Sequence, residues 1–251
     1  MVFNFNKKDP EVKFISTFPN LTMLEEVSPK PTKNFIPGWW KNLQSGNNNV
    51  SKTMRVDGGT VKNCPSFPDY FSNGFIVPMW CDVILRYNKK TNIYDFELSN
   101  KDFIIEDHGN QQFLDIVPSY SHMGKKGAFV FKFISPWFVI TDPGWSMLQL
   151  PAFYHFNNDF TVLPGVIDTD IYHEINQQVI LLDPKEEIFI PMGTPLAQYI
   201  PFKREKVNLT IREANENDSN AIIKQRLRLK SQFTGSKQYN SMRRNRDKDA
   251  V

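Results

Sequence analysis

The amino-acid sequence predicts an all-β protein built from many short strands. Its 251 residues include 17 prolines, which are scattered between short apolar segments. Because proline cannot donate a hydrogen bond to a neighbouring strand, this spacing is typical of short strands joined by turns. Hydrophobic residues make up 40% of the chain, which is enough apolar surface to bury a core. We therefore expect a sandwich or a distorted barrel, with no long helix before residue 215.

Alternating apolar and polar residues mark the candidate strands. A first strand is predicted at residues 12–18, and segments 80–87 and 93–98 flank a polar loop and predict a β-hairpin. Composition predicts loops at residues 25–34 and 45–51. Further strands are expected at residues 103–106, 113–117, 128–133 and 137–141.

Charge separates the chain into a body and a tail. Residues 203–251 hold 13 Lys and Arg against 6 Asp and Glu, whereas residues 1–202 hold 17 against 21. We predict a single β-rich domain over residues 1–202 and a basic tail over residues 203–251. Apolar spacing in the tail predicts a helix at about 219–233, with Asp218 or Ser219 as its N-cap, and a disordered end.

The basic tail offers one kind of partner. Four basic residues lie along the predicted helix and would suit contacts to nucleic-acid phosphates: Lys224, Arg226, Arg228 and Lys230. A solvated basic terminus is the alternative interpretation, and no recognisable DNA-binding motif accompanies these residues.

Cysteine usage and hydropathy indicate an intracellular protein. Cys64 and Cys81 are its only cysteines, and a secreted domain held by disulfides would need more. We interpret both as reduced thiols in the core, since each lies beside prolines and aromatic residues. The sequence has no apolar segment of transmembrane length and no signal-peptide pattern at its start. We therefore expect a cytoplasmic protein with no membrane partner.

Two acidic residues form the first candidate functional feature. Asp168 and Asp170 are spaced i, i+2, which in a strand would place both carboxylates on one face. Their repulsion requires relief, either from a positive partner at a functional site or from backbone N–H groups in a capped turn. The sequence leaves both interpretations open.

A metal site near these acids is an alternative. Two of the four histidines, together with Asp168, Asp170 and Glu174, would supply ligands for a metal-dependent enzyme. The histidines are His108, His122, His155 and His173. Their spacing fits poorly, because adjacent His173 and Glu174 would point to opposite faces of a strand. We therefore assign no metal ligand and keep a metal-dependent enzyme as an alternative function.

Four motifs in the C-terminal half occur in a recognisable order. They are Pro143-Gly-Trp-Ser, Gly165-Val-Ile-Asp-Thr-Asp-Ile-Tyr, the strand Val179-Ile-Leu-Leu, and Gly193-Thr-Pro-Leu-Ala-Gln. In order and spacing they resemble the Ser-bearing turn, the Gly-x-Ile-Asp-x-Asp-Tyr hairpin and the two following strands of the dUTPase and dCTP-deaminase superfamily. The resemblance implies a dUTPase-like fold of the β-clip type, with its core at about 128–202, an N-terminal β extension and one C-terminal helix.

The resemblance also implies a ligand and site residues. The ligand would be a nucleotide or a similar small polar molecule, bound in a homotrimer, with Mg²⁺ as cofactor if the protein hydrolyses nucleotides. Asp168 matches the family's aspartate that orients the attacking water and contacts a sugar hydroxyl, and Asp170 is the second catalytic candidate. Tyr172 is the nearest equivalent of the stacking aromatic, shifted by the inserted Ile171. The ligand-binding candidates are Ser146, Gly165, Ile167, Tyr172 and Gln198.

Some family features are missing from this sequence. The phosphate-binding arginine of the Ser-bearing turn is replaced by Trp145, whose indole cannot neutralise phosphate as a guanidinium does. The glycine-rich C-terminal arm has only a faint counterpart in Phe233-Thr-Gly-Ser-Lys, and Glu174 falls too late to match the glutamate of the deaminases. We therefore predict ligand binding with an incomplete hydrolase site.

Motifs in both halves resemble a second family. Pro37-Gly-Trp-Trp-Lys, the block from Asn63-Cys-Pro to Trp80-Cys-Asp, and Pro143-Gly-Trp-Ser are similar to an uncharacterised family of bacteria and tailed phages. This resemblance implies an origin and leaves open a non-catalytic phage structural or assembly protein. If a phage encodes the chain, the expected location is the host cytoplasm.

Overall fold

The computed structural model describes residues 9–44, 60–108, 129–182 and 185–230. Its regular structure is mostly β, in four antiparallel sheets, so the predicted all-β class is confirmed. None of these sheets closes into a barrel within the described ranges. The described residues divide into two units, one of residues 9–35 and 73–204 and one of residues 36–44, 60–72 and 205–230. The predicted boundary at residue 202 stays a prediction.

Fourteen strands and three helices are named here in chain order. The strands are β1 Val12–Ser16, β2 Lys30–Pro31, β3 Phe75–Pro78, β4 Val83–Asn88, β5 Ile93–Leu98, β6 Ile105–Asp107, β7 Val130–Phe133, β8 Trp137–Thr141, β9 Trp145–Pro151, β10 Phe160–Val162, β11 Gly165–Ile167, β12 Gln177–Leu181, β13 Glu187–Ile190 and β14 Pro195–Lys203. The helices are α1 Gly38–Asn42, α2 Ser66–Phe71 and α3 Glu216–Lys230.

The largest sheet has the order β11-β9-β14-β3-β2 and carries the candidate site. Its central strand β14 pairs with β9 as far as Lys203 opposite Trp145. On the other side of β9, Ile167 of β11 lies opposite Met147. The ends of β14 and β11 therefore lie on either side of the beginning of β9.

Three smaller sheets complete the first unit, with the orders β10-β12-β7-β6, β13-β4-β5 and β1-β8. The predicted hairpin is confirmed, since β4 pairs with β5 in antiparallel register. The strands predicted at 12–18 and 137–141 are also present, whereas the one predicted at 103–106 begins two residues later, at Ile105. The predicted strand at 113–117, the loop at 45–51, Phe233-Thr-Gly-Ser-Lys and the disordered end lie outside the described residues.

One hydrophobic core fills the first unit because the strands alternate. In β13, Ile188 and Ile190 are buried while Glu187 and Phe189 are exposed. This period of two places alternate side chains on one face of a sheet. The largest fully buried side chains include Trp137, Tyr199, Phe133, Ile76 and Met147. The site described below is therefore built on the rim of a packed sheet.

Tyr199 of β14 is the centre of a buried polar network. Its hydroxyl donates to Gln149 Oε1 at 2.7 Å and accepts from Gln177 Nε2 at 2.6 Å. The amide of Gln149 donates in turn to the carbonyl of Leu163 at 2.9 Å. Burial raises the pKa of Tyr199, so the hydroxyl stays protonated and remains a donor. The network links β14 to β9 and to β12.

Gly74 lets the chain approach β14 closely. Its φ is +67°, and a Cβ at this position would lie 2.1 Å from the carbonyl oxygen of Tyr199. No side chain fits there, and the left-handed conformation itself favours glycine. The residue therefore fixes how the chain enters β3, the strand on the far side of β14 from β9.

The second unit contains an aromatic cluster. The ring of Trp40 in α1 stacks on that of Phe67 in α2, with centroids 5.3 Å apart and planes 8° from parallel. Lys62 Nζ donates to the carbonyl of Trp40 at 2.7 Å and lies 5.5 Å from the centroid of its ring. These contacts pack α1 and α2 together.

The C-terminal helix α3 begins at Glu216, three residues earlier than predicted. Asn215 Oδ1 accepts from Asp218 N at 2.9 Å, and Asp218 Oδ2 accepts from Asn215 N at 3.0 Å. The predicted N-cap at Asp218 or Ser219 is therefore wrong. Asn215 caps the helix, and Asp218 closes a reciprocal capping box from the third helical position.

The two cysteines differ in environment. Cys81 is buried, and this burial, followed by the charge of Asp82, raises the pKa of its thiol to about 12. Cys64 is only partly buried, so it is not the core thiol that the sequence predicts. The hydroxyl and backbone N–H of Ser66 lower its pKa.

None of the helices among the described residues is long and apolar enough to cross a membrane.

Candidate functional site

A tight turn after β11 positions the two acidic residues. The backbone N–H groups of Ile171 and Tyr172 both donate to the carbonyl of Asp168, at 2.9 and 2.8 Å. Since β11 ends at Ile167, Asp168 and Asp170 lie on this turn and not on a strand. The strand geometry considered for the acid pair is therefore wrong, and the turn brings the carboxylates together.

A second turn, between β8 and β9, faces the first. Trp145 N donates to Asp142 O at 3.1 Å, and Gly144 has a φ of +82°. Proline followed by a left-handed glycine is the signature of a type II turn, which Pro143 and Gly144 provide. Gly144 donates its N–H to Asp170 Oδ2 at 2.8 Å. The motif Pro143-Gly-Trp-Ser thus binds the acidic turn through its backbone.

Arg204, just beyond the end of β14, contacts both acids. Its Nη1 and Nη2 atoms bind Oδ1 and Oδ2 of Asp170 at 2.8 and 2.5 Å. Nη1 also lies 2.9 Å from Ser146 Oγ and 3.1 Å from Asp168 Oδ1. Ser146 Oγ donates to the same Asp168 oxygen at 2.6 Å. One guanidinium therefore joins three of the predicted site residues.

These contacts keep both carboxylates ionised. The Arg204 guanidinium, followed by the Gly144 N–H, lowers the pKa of Asp170 to about 2. The Ser146 hydroxyl, followed by Arg204, lowers the pKa of Asp168. The repulsion between the two acids is thus relieved by a cation and by backbone N–H groups, which combines the two interpretations that the sequence left open.

The two acids differ in accessibility. The side chain of Asp170 is 7% exposed, and both of its oxygens are bound to Arg204. The side chain of Asp168 is 53% exposed, and its contacts to Ser146 and Arg204 use Oδ1. Within the described part of the chain, Asp168 Oδ2 has no hydrogen-bond partner. Asp168 therefore presents a fixed, anionic acceptor to solvent.

Tyr172, whose backbone N–H donates to the carbonyl of Asp168, carries an exposed aromatic ring. The residue is 54% exposed, and its hydroxyl donates to Glu174 Oε2 at 2.9 Å, which raises the pKa of Tyr172. Asn176 Nδ2 donates to the same Glu174 oxygen at 3.0 Å. The ring is thus held at its hydroxyl end while much of it stays accessible.

The remaining predicted residues lie on the same sheet. Gly165 and Ile167 belong to the edge strand β11, which leads directly into the acidic turn. Gln198 lies towards the other end of β14, opposite Leu150, where it is buried and donates to the carbonyl of Asn73 at 2.8 Å. The structure brings Ser146, Asp168, Asp170 and Tyr172 together with β11 and leaves Gln198 apart.

The histidines near the turn have other contacts. His173 Nδ1 lies 2.9 Å from the carbonyl oxygen of Thr169. His155 lies beyond the far end of β9, where burial lowers its pKa and the backbone of Phe35 is its hydrogen-bond partner. Across the described ranges, His, Cys, Asp and Glu side chains form no group of three that could hold a metal ion. His122 lies outside those ranges.

Arg204 is the site residue that the sequence interpretation missed. The acid pair required a cation, and Lys203 and Arg204 are the basic residues at the end of the last predicted strand. Only the register of β14 against β9, with Lys203 opposite Trp145, brings Arg204 to the acidic turn. Strand register depends on tertiary packing, so the sequence alone could not select this arginine.

Comparisons with known proteins find structural neighbours only. No family model and no curated protein matches the sequence, so the resemblance to the uncharacterised phage family stays a prediction. The chain is similar to the dUTPase from phage phi11 of S. aureus, with 10% identity, a TM-score of 0.34, and coverage of 82% of this chain and 99% of that chain.

Two further neighbours are also dUTPases. For the dUTPase of Staphylococcus bacteriophage 80alpha, the identity is 11%, the TM-score 0.34, and the coverage 83% of this chain and 99% of that chain. For EIAV dUTPase the identity is 13%, the TM-score is 0.26, and the coverage is 54% of this chain and 98% of that chain. The neighbours are thus of the dUTPase type, but the low identities and TM-scores carry no argument about function.

Proposed function

We propose that the turn at residues 168–172 binds a nucleotide or a similar small polar ligand. The observation that supports this most is the state of Asp168. Its carboxylate is ionised, fixed through Oδ1 by Ser146 and Arg204, and half-exposed to solvent. A fixed carboxylate accepts a hydrogen bond from a ligand hydroxyl without losing further side-chain entropy.

Two neighbouring features give the ligand further contacts. The exposed ring of Tyr172 offers an apolar face on which a sugar or a base packs. Among the described residues, the edge strand β11, from Gly165 to Ile167, pairs only with β9, which leaves its other backbone edge for a base. Gln198 is left out of the proposed site because its amide is buried and bound to Asn73.

The proposed chemistry is binding with an incomplete hydrolase site. Asp168 would orient a water molecule if the ligand is hydrolysed, as the family resemblance implies. Asp170 is assigned to holding Arg204 and not to contacting the ligand, since both of its oxygens are occupied. Hydrolysis is therefore tested separately from binding.

Titration calorimetry with a panel of nucleosides and nucleotides, with and without Mg²⁺, tests the proposal. We expect at least one member to bind, and Asp168→Asn to weaken it about tenfold or more, since a charged acceptor is lost. Asp102→Asn, which removes an exposed carboxylate elsewhere, is the matched control. Absence of binding across the panel would contradict the proposal, and pyrophosphate release from bound triphosphates would add hydrolysis to it.

A second candidate function is assembly with further copies of the chain. Val207, Leu209 and Ile211 alternate along the irregular segment before α3, and these residues are 84–87% exposed. Such alternation is typical of a strand with one buried face, and the resemblance to dUTPases suggests a trimer. Sedimentation of the wild type and of a variant with serine at these three positions tests this. A monomeric wild type would exclude it.

A further inference from the structure

We infer that the proposed site selects an uncharged, hydroxyl-bearing ring, such as a nucleoside, over the phosphorylated forms of the same molecule. This inference rests on the proposed function, namely that Asp168 receives a ligand. It adds the chemical class of that ligand, which follows from the occupancy and the charge of the groups around Asp168.

The arginine at the site is already engaged. Arg204 binds both oxygens of Asp170 and also contacts Ser146 and Asp168. A phosphate that recruited Arg204 would have to break this bidentate pair. Asp170, whose side chain is 7% exposed, would then lose its counter-ion and keep backbone N–H partners, including that of Gly144. Leaving a largely buried carboxylate without its counter-ion is unfavourable.

Three donors next to the two acids and on Tyr172 are engaged as well. The Gly144 N–H donates to Asp170, the Ser146 hydroxyl donates to Asp168, and the Tyr172 hydroxyl donates to Glu174. Beyond the backbone edge of β11, the described side chains of the site present to solvent an acceptor, the half-exposed Asp168 carboxylate, and the aromatic ring of Tyr172. A sugar hydroxyl donates to such an acceptor, whereas a phosphate oxygen at neutral pH needs donors.

The charge of the site also disfavours a phosphorylated ligand. Among the described side chains joined by contacts at the turn, Asp168, Asp170 and Glu174 contribute three carboxylates and Arg204 contributes one guanidinium. A phosphate monoester adds about −1.5 to −2 charges at neutral pH, so its approach to this excess of negative charge is disfavoured.

Calorimetry in EDTA separates the inference from the proposed function. Each common nucleoside is compared with its monophosphate, so that base and sugar are matched. We expect the dissociation constant of the nucleoside to be at least about tenfold lower than that of its monophosphate. The ratio between the two constants should decrease at high salt, because salt screens the charge of the phosphate. Equal or tighter binding of the monophosphate would overturn the inference and leave the proposed function standing. Binding by neither set would overturn both.

A charge variant sharpens the test. Asp170→Asn removes one negative charge and releases Arg204, so the preference for the nucleoside should narrow by about tenfold or reverse. Glu97→Gln, which removes an exposed carboxylate bound to Arg86, is the matched control and should leave the preference unchanged. If Asp170→Asn does not fold, Glu174→Gln changes the charge in the same direction. An unchanged preference in the folded charge variant would contradict the inference.

Discussion

Arg204 and Asp170 form a bidentate pair that ties the end of the central strand to the acidic turn. Each terminal nitrogen of the guanidinium binds one oxygen of the carboxylate, and the two residues are 34 positions apart in sequence. Asp170 also accepts the N–H of Gly144. Three segments of the chain thus meet at one carboxylate, which makes the geometry of the site sensitive to its ionisation.

Acid should weaken the fold through this pair. The pKa of Asp170 is about 2 in the folded chain against an ordinary value of 3.8, so the folded state binds the proton less readily. The resulting stability is present above 3.8 and is lost as the pH falls from 3.8 towards 2. Thermal unfolding across this range measures the loss.

The Asp170→Asn variant tests that assignment. It should already be less stable at neutral pH and should show a shallower decline on acidification, because the titrating group is gone. Asp102→Asn should follow the wild-type curve. An Asp170→Asn curve parallel to that of the wild type would show that other carboxylates account for the acid sensitivity.

Gly74 and Gly144 both have a left-handed backbone conformation, but replacement by alanine should destabilise the protein to different extents. Gly144 has a φ of +82° but free space where a Cβ would stand, so Gly144→Ala should cost about 1 kcal/mol of unfolding free energy from backbone strain alone. At Gly74 the Cβ would meet Tyr199 O at 2.1 Å, so Gly74→Ala should cost about 3 kcal/mol or more.

Urea unfolding of the two variants gives this comparison. Gly165→Ala is the control, because Gly165 has an ordinary φ and open space, and alanine should be tolerated there. Equal losses at Gly74 and Gly144 would mean that the close approach to β14 relaxes without cost.

The sequence was informative where local pattern decides structure. Alternation found the β4–β5 hairpin and β1, and the motifs around Ser146, Asp168 and Tyr172 identified residues that the fold brings together. The start of α3 was missed because Asn215 and Asp218 are both residue types that cap helices, and local spacing does not decide which of them is the N-cap. Arg204 and the isolation of Gln198 depend on strand register, which is set by packing.

Removal of the Tyr199 hydroxyl should destabilise the first unit. Tyr199→Phe leaves Gln149 Oε1 without the donor that satisfies it in the core, at a cost of about 1–3 kcal/mol. Tyr87→Phe is the matched control, since its hydroxyl binds the exposed Asn92 and its loss should cost less than about 0.5 kcal/mol. Chemical denaturation compares the two, and similar losses would contradict a structural role for the network.

The two thiols should differ in reactivity. Burial holds the pKa of Cys81 at about 12, whereas Ser66 lowers the pKa of the partly buried Cys64. A disulfide reagent added to native protein at mildly alkaline pH should therefore label Cys64 first and Cys81 only after unfolding. Cys64→Ser should abolish the fast phase and Cys81→Ser should retain it. A fast phase that survives in Cys64→Ser would contradict this assignment.

The central position of β14 has a consequence for how the protein forms during synthesis. In the sheet, β14 lies between β9 and β3. Both of these strands precede β14 in the sequence and therefore leave the ribosome before it is synthesised. Until residues 195–204 emerge, β3 and β9 lack the strand with which both form hydrogen bonds, and the acidic turn lacks Arg204 as its counter-ion. Nascent chains stalled before this point should therefore expose open strand edges and depend on chaperones to avoid aggregation.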